Sequence, residues 1–358
     1  MMHERTRDAT DPIPDATAGL TSRIGTIEYS PVFRGLGATA IAFRDLLREF
    51  MRAARRATRP GPARPTSPPA APPDLVPLRC LVLADDVSRL LFAEYEAHRK
   101  TDRGAEETGW ALLGLRRGDE AVALASLPAG AGRDAAVGHV RFDSAAQAFA
   151  SRVVRQGRRQ LSMFGVAHTH PGSLRHPSSG DYRGDIGWVA NVRGGEGVFA
   201  IGTADAQPRG DARIAWQPAS NVQCLGDLRL SWYVLGVGDR NYRPLPVELT
   251  IGPDLAAPLR PVWEELEVHA ERLERLARQL SGVTFDVAMG REKAALSLTV
   301  TLPDGERSLR VELEGKEVRY WLLTPQGALA AELREDRVDV GVFLMLSELA
   351  AQAEPLAA

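Results

Sequence analysis

Four side chains between His168 and Asp181, in the stretch HTHPGSLRHPSSGD, stand at spacings that suit one divalent metal. His168 and His170 follow the apolar run Leu161, Met163, Phe164, Val166, which has the length and composition of a buried strand. Side chains of a strand alternate with a period of two, so at its end both imidazoles leave the same face and set two nitrogen donors side by side. Pro171 and Gly172 close the strand. Ser178 and Asp181 then head a helix-compatible run, Tyr182 to Val192, and an i, i+3 pair shares one helix face. Asp181 can therefore turn its carboxylate toward the histidines. The result is a His2Asp set with a fourth tetrahedral position open to water, which is the pattern of a catalytic rather than a structural zinc.

Each piece also has an ordinary reading. Ser178-x-x-Asp181 fits a helix capping box, whose members only satisfy backbone donors, and for that pair alone this is the better reading. A lone His-x-His more often supplies ordinary polar or core residues. The chain holds seven histidines in 358 residues, and it is the joint spacing that points to a metal.

The run His168-Thr169-His170-Pro171, then seven residues counted from the second histidine before Ser178, then two more before Asp181, resembles the JAMM signature of the JAB/MPN/Mov34 metalloprotease family. That pattern also carries a glutamate on an earlier strand, followed by small and apolar positions ending in Gly. Glu107-Thr108-Gly109-Trp110-Ala111-Leu112-Leu113-Gly114 fits it. Glu106 is the neighbouring alternative; the Glu-Thr-Gly start and the distance to Gly114 favour Glu107. Without the histidine motif, either glutamate reads as a solvated strand-edge carboxylate.

The resemblance implies a Zn2+ held by His168, His170 and Asp181, which brings the ionisation of water to about pH 7. It implies that Glu107 takes the water's proton and passes it to the leaving amine. Ser178 would donate to the oxygen that turns negative in the tetrahedral intermediate, or cap the helix, according to its rotamer. The reaction class is amide hydrolysis, at an isopeptide or peptide bond after the C-terminal tail of ubiquitin or a ubiquitin-like protein. Bacterial members accompany ubiquitin-like activating and conjugating enzymes, and the Ala- and Arg-rich composition fits a bacterial source. The expected partners are thus a ubiquitin-like protein or its conjugate and those enzymes. An amidase acting on a sulfur-carrier conjugate or a small peptide would use the same machinery. A scaffold that has lost its ligands is a different class, and the retention of glutamate, both histidines and aspartate argues against it. The insertions that select ubiquitin chains in eukaryotic members are not recognisable.

The elements that must hold these residues follow from the chain as a whole. With 44% hydrophobic and 25% charged residues, 358 residues suffice for two domains and a tail. A net charge of -2 gives no pull toward nucleic acid or membrane. Cys80 and Cys224 form no motif and read as buried free thiols of a reducing compartment. The first residues, MMHERTRDATDP, lack an apolar h-region, and no apolar run approaches bilayer length, so the expected location is the cytoplasm.

Residues 1–77 read as a polar lead-in, a possible short strand Ile24 to Tyr29, and a helix Thr39 to Ala57. That helix has Ile41, Leu46, Leu47, Phe50 and Met51 at roughly helical spacing and is decorated by Arg44, Arg48, Arg52, Arg55 and Arg56. It reads either as a basic helix for an acidic partner or membrane surface, or, the favoured reading, as a helix packed on its own protein. Eight prolines between residues 60 and 77 make a stiff linker.

Residues 78–245 order as strand (Leu78 to Leu83), helix (Asp86 to Lys100), strands (Trp110 to Leu115, Ala121 to Ser126), helix (Ser144 to Arg158), the metal strand and helix, and strands Gly197 to Thr203, Arg213 to Gln217 and Leu228 to Val234. This order predicts an α/β (α+β) fold, a curved mixed sheet flanked by helices. The resemblance covers about residues 76 to 245 and implies the same JAMM/MPN-like arrangement, with cytidine-deaminase-like layering. Here His139 and His176 read as solvated loop histidines and Asp185 as a surface carboxylate, each with a smaller prospect of a supporting role.

Residues 246–358 carry the stripe Val262, Leu266, His269, Leu273, Leu276, Leu280 on a helix from Pro261 to Gly282, then a meander through Leu296–Leu302, Leu309–Leu313 and Val318–Leu322, then a closing helix Val342 to Leu349. His269 reads as a satisfied core or interface histidine. This small α+β module holds no catalytic constellation and is assigned to partner recognition or dimerisation.

Overall fold

The computed structural model describes residues 76–353, apart from 131–133, 137–138, 142–143, 210 and 212–213. The lead-in, the strand Ile24–Tyr29, the arginine-bearing helix Thr39–Ala57 and the proline run up to residue 75 lie outside the described residues. The chain enters through β1 (Cys80–Ala84) and α1 (Asp85–Arg99). The pair β2 (Gly109–Arg117) and β3 (Glu120–Pro128) leads into a two-stranded ribbon, β4 (Asp134–Ala136) with β5 (His139–Arg141). Next come α2 (Ser144–Arg155), β6 (Ser162–Thr169), α3 (Ser179–Val189) and β7 (Glu196–Thr203). Short strands β8 (Trp216–Ala219) and β9 (Val222–Leu225) precede β10 (Leu228–Gly236), β11 (Arg243–Pro244) and β12 (Val247–Thr250).

These strands make one curled mixed sheet ordered β12-β1-β3-β2-β6-β7-β10-β9-β8, with β11 beside β10. The β1–β12, β1–β3 and β6–β7 pairs are parallel and the others antiparallel. The expected class, a mixed α/β sheet with helices on its faces, is the one observed. Its edge reaches Thr250, because β12 pairs in register with β1 from Leu81↔Val247 onward.

β2 is buried on both faces and alternation divides its side chains between two cores. Trp110 and Leu112 pack with Val87, Leu91 and Phe92 of α1. Ala111 and Leu113 pack the other way, with Phe149 of α2. This double burial is why the stretch reads as a continuous apolar run. Gly114 sits at a bulge where a Cβ would lie 1.8 Å from the Val122 carbonyl oxygen, so no larger residue fits that approach.

The C-terminal part shares the α2-side core. A 3-10 turn (Ala257–Val262) runs into α4 (Trp263–Gln279), and the antiparallel meander β13 (Val283–Met289), β14 (Ala294–Thr301), β15 (Ser308–Glu314), β16 (Glu317–Thr324), β17 (Gly327–Ala331) is closed by α5 (Val338–Ala353). Leu266, Leu273, Leu298, Val311 and Val342 belong to the same buried cluster as Phe149, whose ring meets Phe285 edge-on at 4.7 Å. The expected helix from Pro261 begins two residues later, with Pro261 itself inside the 3-10 turn. His269 is buried on the stripe as expected, but its Nδ1 has no partner among the described residues, and burial lowers its pKa. The strand expected at Arg213–Gln217 lies at Trp216–Ala219. No described helix is long and apolar enough to cross a membrane.

Phe149 is fully buried at the junction of the sheet and the C-terminal part. Phe149→Ala should cost about 3–5 kcal/mol of folding free energy, read as a shift in the denaturant midpoint. A change of a few tenths would mean that the junction carries little of the stability.

Candidate metal centre

The strand β6, which ends in His168-Thr169 with His170 just beyond it, occupies the middle of the sheet, between β2 and β7. It is pinned on both sides. Gly109 pairs with His168 on one side and Ile201 with His168 on the other. Beyond the ladder, Thr169 N–H donates to the Thr108 carbonyl (2.8 Å), Thr108 N–H donates to Thr169 Oγ1 (3.0 Å), and His170 N–H donates to the Gly202 carbonyl (2.8 Å). Thr169, the residue between the two histidines, thus locks the two strand ends. Continuing the register two residues past Gly109 brings Glu107 level with His170.

Both imidazoles are more than nine-tenths buried, and their Nε2 atoms lie 3.1 Å apart. The ring of His170 is fixed by its other nitrogen: Nδ1 sits 2.8 Å from the Leu174 carbonyl, which can only accept, so in the neutral ring Nδ1 carries the proton and the Nε2 lone pair faces His168 and Asp181. Burial acts to lower the His170 pKa, but contact with Asp181, the Leu174 carbonyl and nearby Glu107 leave it raised.

Asp181 arrives from a different element. α3 begins one residue after Ser178, three residues earlier than the sequence suggested, because Ser178 caps it: Oγ accepts from the Gly180 and Asp181 amides, each at 3.1 Å. The Asp181 carboxylate in turn accepts from the Ser178 amide at 2.5 Å, which completes the capping box. Its two oxygens lie 3.3 Å from His168 Nε2 and 3.4 Å from His170 Nε2. Burial acts to raise the Asp181 pKa, yet the two histidines and the Ser178 amide hold it well below the usual carboxylate range. The cap and the site are one arrangement. The backbone bond that ties down one carboxylate oxygen also aims the group at the imidazoles.

Among the described residues, His168, His170 and Asp181 are the one group of three or more donors that could hold a metal, with ligand atoms all within 4.8 Å of one another. Two neutral nitrogens and one carboxylate oxygen are the donor set of an open zinc site. Glu107, 4% exposed, lies close enough to feel the charges of His170 and Asp181. Burial, opposed by His170 and reinforced by Asp181, raises its pKa to about 7. Glu106 instead joins Arg103 at 2.7 Å and is half-exposed.

Tyr182 and Tyr242, which sequence reasoning passed over, and Asp185, which it named, also support the site. Tyr182 Oη donates to the Asp239 carbonyl and Tyr242 Oη to Asp185 (2.7 Å), fastening α3 to the loop after β10. Asp185, read from sequence as a surface carboxylate, is half-buried, and burial together with Asp181 raises its pKa to about 7 against the Tyr242 hydroxyl. Only the i+4 spacing from Asp181 hinted at this; the Leu174 carbonyl left no trace in the residue types. His176 is exposed, its Nδ1 against the Pro177 carbonyl, and His139 lies in β5 rather than a loop.

No family model matches the chain, and no curated protein matches it. Among solved structures, the solution structure of protein DSY2949 from Desulfitobacterium hafniense is similar to 49% of this chain and 95% of its own, at 15% identity and a TM-score of 0.34.

If these three residues bind a cation, Zn2+ at 100 times its Kd should stabilise the fold by about 2.7 kcal/mol, seen as a rise in the thermal midpoint. His168→Ala should remove that rise. A midpoint indifferent to Zn2+ in the wild type would exclude the site as a metal centre.

Proposed function

We propose that the chain is a zinc metalloprotease of JAMM type, an isopeptidase or peptidase that cleaves after the C-terminal tail of a ubiquitin-like protein. The observation that carries this reading is the convergence of His168, His170 and Asp181, from a strand end and a helix start, with buried Glu107 alongside. The resemblance of their spacing to the JAMM signature supplies the substrate class.

His168 and His170 would hold the ion through Nε2 and Asp181 through its carboxylate. When bound, zinc supplies Lewis acidity that polarises a carbonyl and brings the ionisation of water into the neutral range. Glu107, with a pKa set near neutrality by its burial, suits a group that must first accept a proton from water and then release it to the leaving amine. Ser178 spends its oxygen lone pairs on the cap, and its hydroxyl hydrogen remains for donation to the oxygen that gains charge. The retention of all four groups favours an enzyme over a scaffold. Two free cysteines, Cys80 and Cys224, fit a cytoplasmic location.

The test is cleavage of a ubiquitin-like fusion, run together with a metal assay. Glu107→Ala should keep zinc and lose hydrolysis, whereas His168→Ala should lose both; cleavage unchanged in the Glu107 variant would overturn the assigned base. Ser178→Ala separates two roles. Loss of the cap should cost about 1 kcal/mol of stability, while loss of a hydroxyl donor to the developing oxyanion should lower kcat by about 10²-fold or more. A stability loss with kcat intact would leave Ser178 a cap alone.

A further inference from the structure

α5 reads VDVGVFLMLSELAAQA, with two acids and no base. Its inward positions Val338, Val342, Met345, Leu346 and Leu349 are buried. Its outward face is apolar as well: Phe343 and Leu344 are each 41% exposed, one turn from half-buried Val340 and next to exposed Ser347. A helix apolar on every side is normally covered on every side. The surrounding stretch 332–353 carries five acids against Arg334 and Arg337; Asp339 is buried and pairs with Arg275 at 3.0 Å, which leaves Glu332, Glu335, Asp336 and Glu348 against the two arginines, a net charge of -2. A second copy seated on this face through a two-fold axis would set like charge against like.

The chain itself contains the complement. Residues 39–57 carry five arginines against Asp45 and Glu49, a net charge of +3. Phe43, Leu47, Phe50 and Ala54 fall at i, i+4, i+7 and i+11, one stripe of a helix, with Arg44, Arg48, Arg52 and Arg55 on the adjoining side. The 18 residues between Ala57 and Val76 can extend to about 60 Å, more than the width of a body this size, which is about 50 Å. We propose that residues 39–57 dock on the Phe343–Leu344 face of α5, apolar stripe on apolar face, with the arginines over the flanking acids. The reading of this segment as a helix packed on its own protein thereby acquires a place. The proposal is independent of the metal centre.

Hydrogen exchange of the full chain, with its mass measured by light scattering, tests the contact. Backbone amides of 39–57 should exchange about tenfold or more slower in the wild type than after Phe343→Glu with Leu344→Glu. Leu47→Glu with Phe50→Glu, which leaves the described body untouched, should release the segment equally. Exchange of 39–57 at coil rates in the wild type, or protection that survives both pairs of substitutions, would overturn the proposal. So would a two-chain mass that falls to one with the α5 pair, since the face would then belong to a second copy.

Discussion

The Asp181 carboxylate is the hinge of the candidate site. It closes the N-terminus of α3 through the Ser178 amide and faces two buried imidazoles at 3.3 and 3.4 Å. An isolated buried carboxylate is costly, and here it is offset by a charge-assisted backbone bond at a helix start, where the helix dipole also favours negative charge. The two imidazoles are crowded as well, with nitrogens 3.1 Å apart and one ring held by a carbonyl. Two imidazole nitrogens and a carboxylate, with ligand atoms within 4.8 Å of one another, make the donor set that a cation would need. Everything else in the sheet sets where these three groups stand.

The scaffold does so with two devices. A central strand bonded on both sides fixes the histidines, and the Thr108–Thr169 interlock extends that precision past the end of the ladder to Glu107. A helix fixed by its own cap, by Val189 in a small apolar cluster, and by the Tyr182 and Tyr242 hydroxyls brings in the carboxylate. The five-stranded meander and its helices close the opposite face of β2 and β3, so a single buried cluster links the C-terminal part to the strands that carry the site.

What could be read from the residues follows physical lines. The clustering of His168, His170 and Asp181 was legible because a strand period and a capping box are local rules written in adjacent residues. The double-sided burial of β2 was legible as an unbroken apolar run. The short strands Val222–Leu225 and Val247–Thr250 were not, since four residues leave too little periodicity, and the partner of the second, Cys80–Ala84, is distant in sequence. The start of α3 lies earlier than the apolar pattern indicates because Gly180 and Gly184 dilute the helical signal, and the Ser178 cap decides the boundary. The Tyr242–Asp185 bond joins residues 57 apart, and no local pattern encodes it.

The most direct measurement is a titration of the apo chain with Co2+, followed by its visible absorption. The account predicts saturation at one equivalent, with the intense bands of a four-coordinate ion, and loss of those bands in Asp181→Ala. No saturable binding, or the same spectrum and stoichiometry in the Asp181 variant, would contradict it.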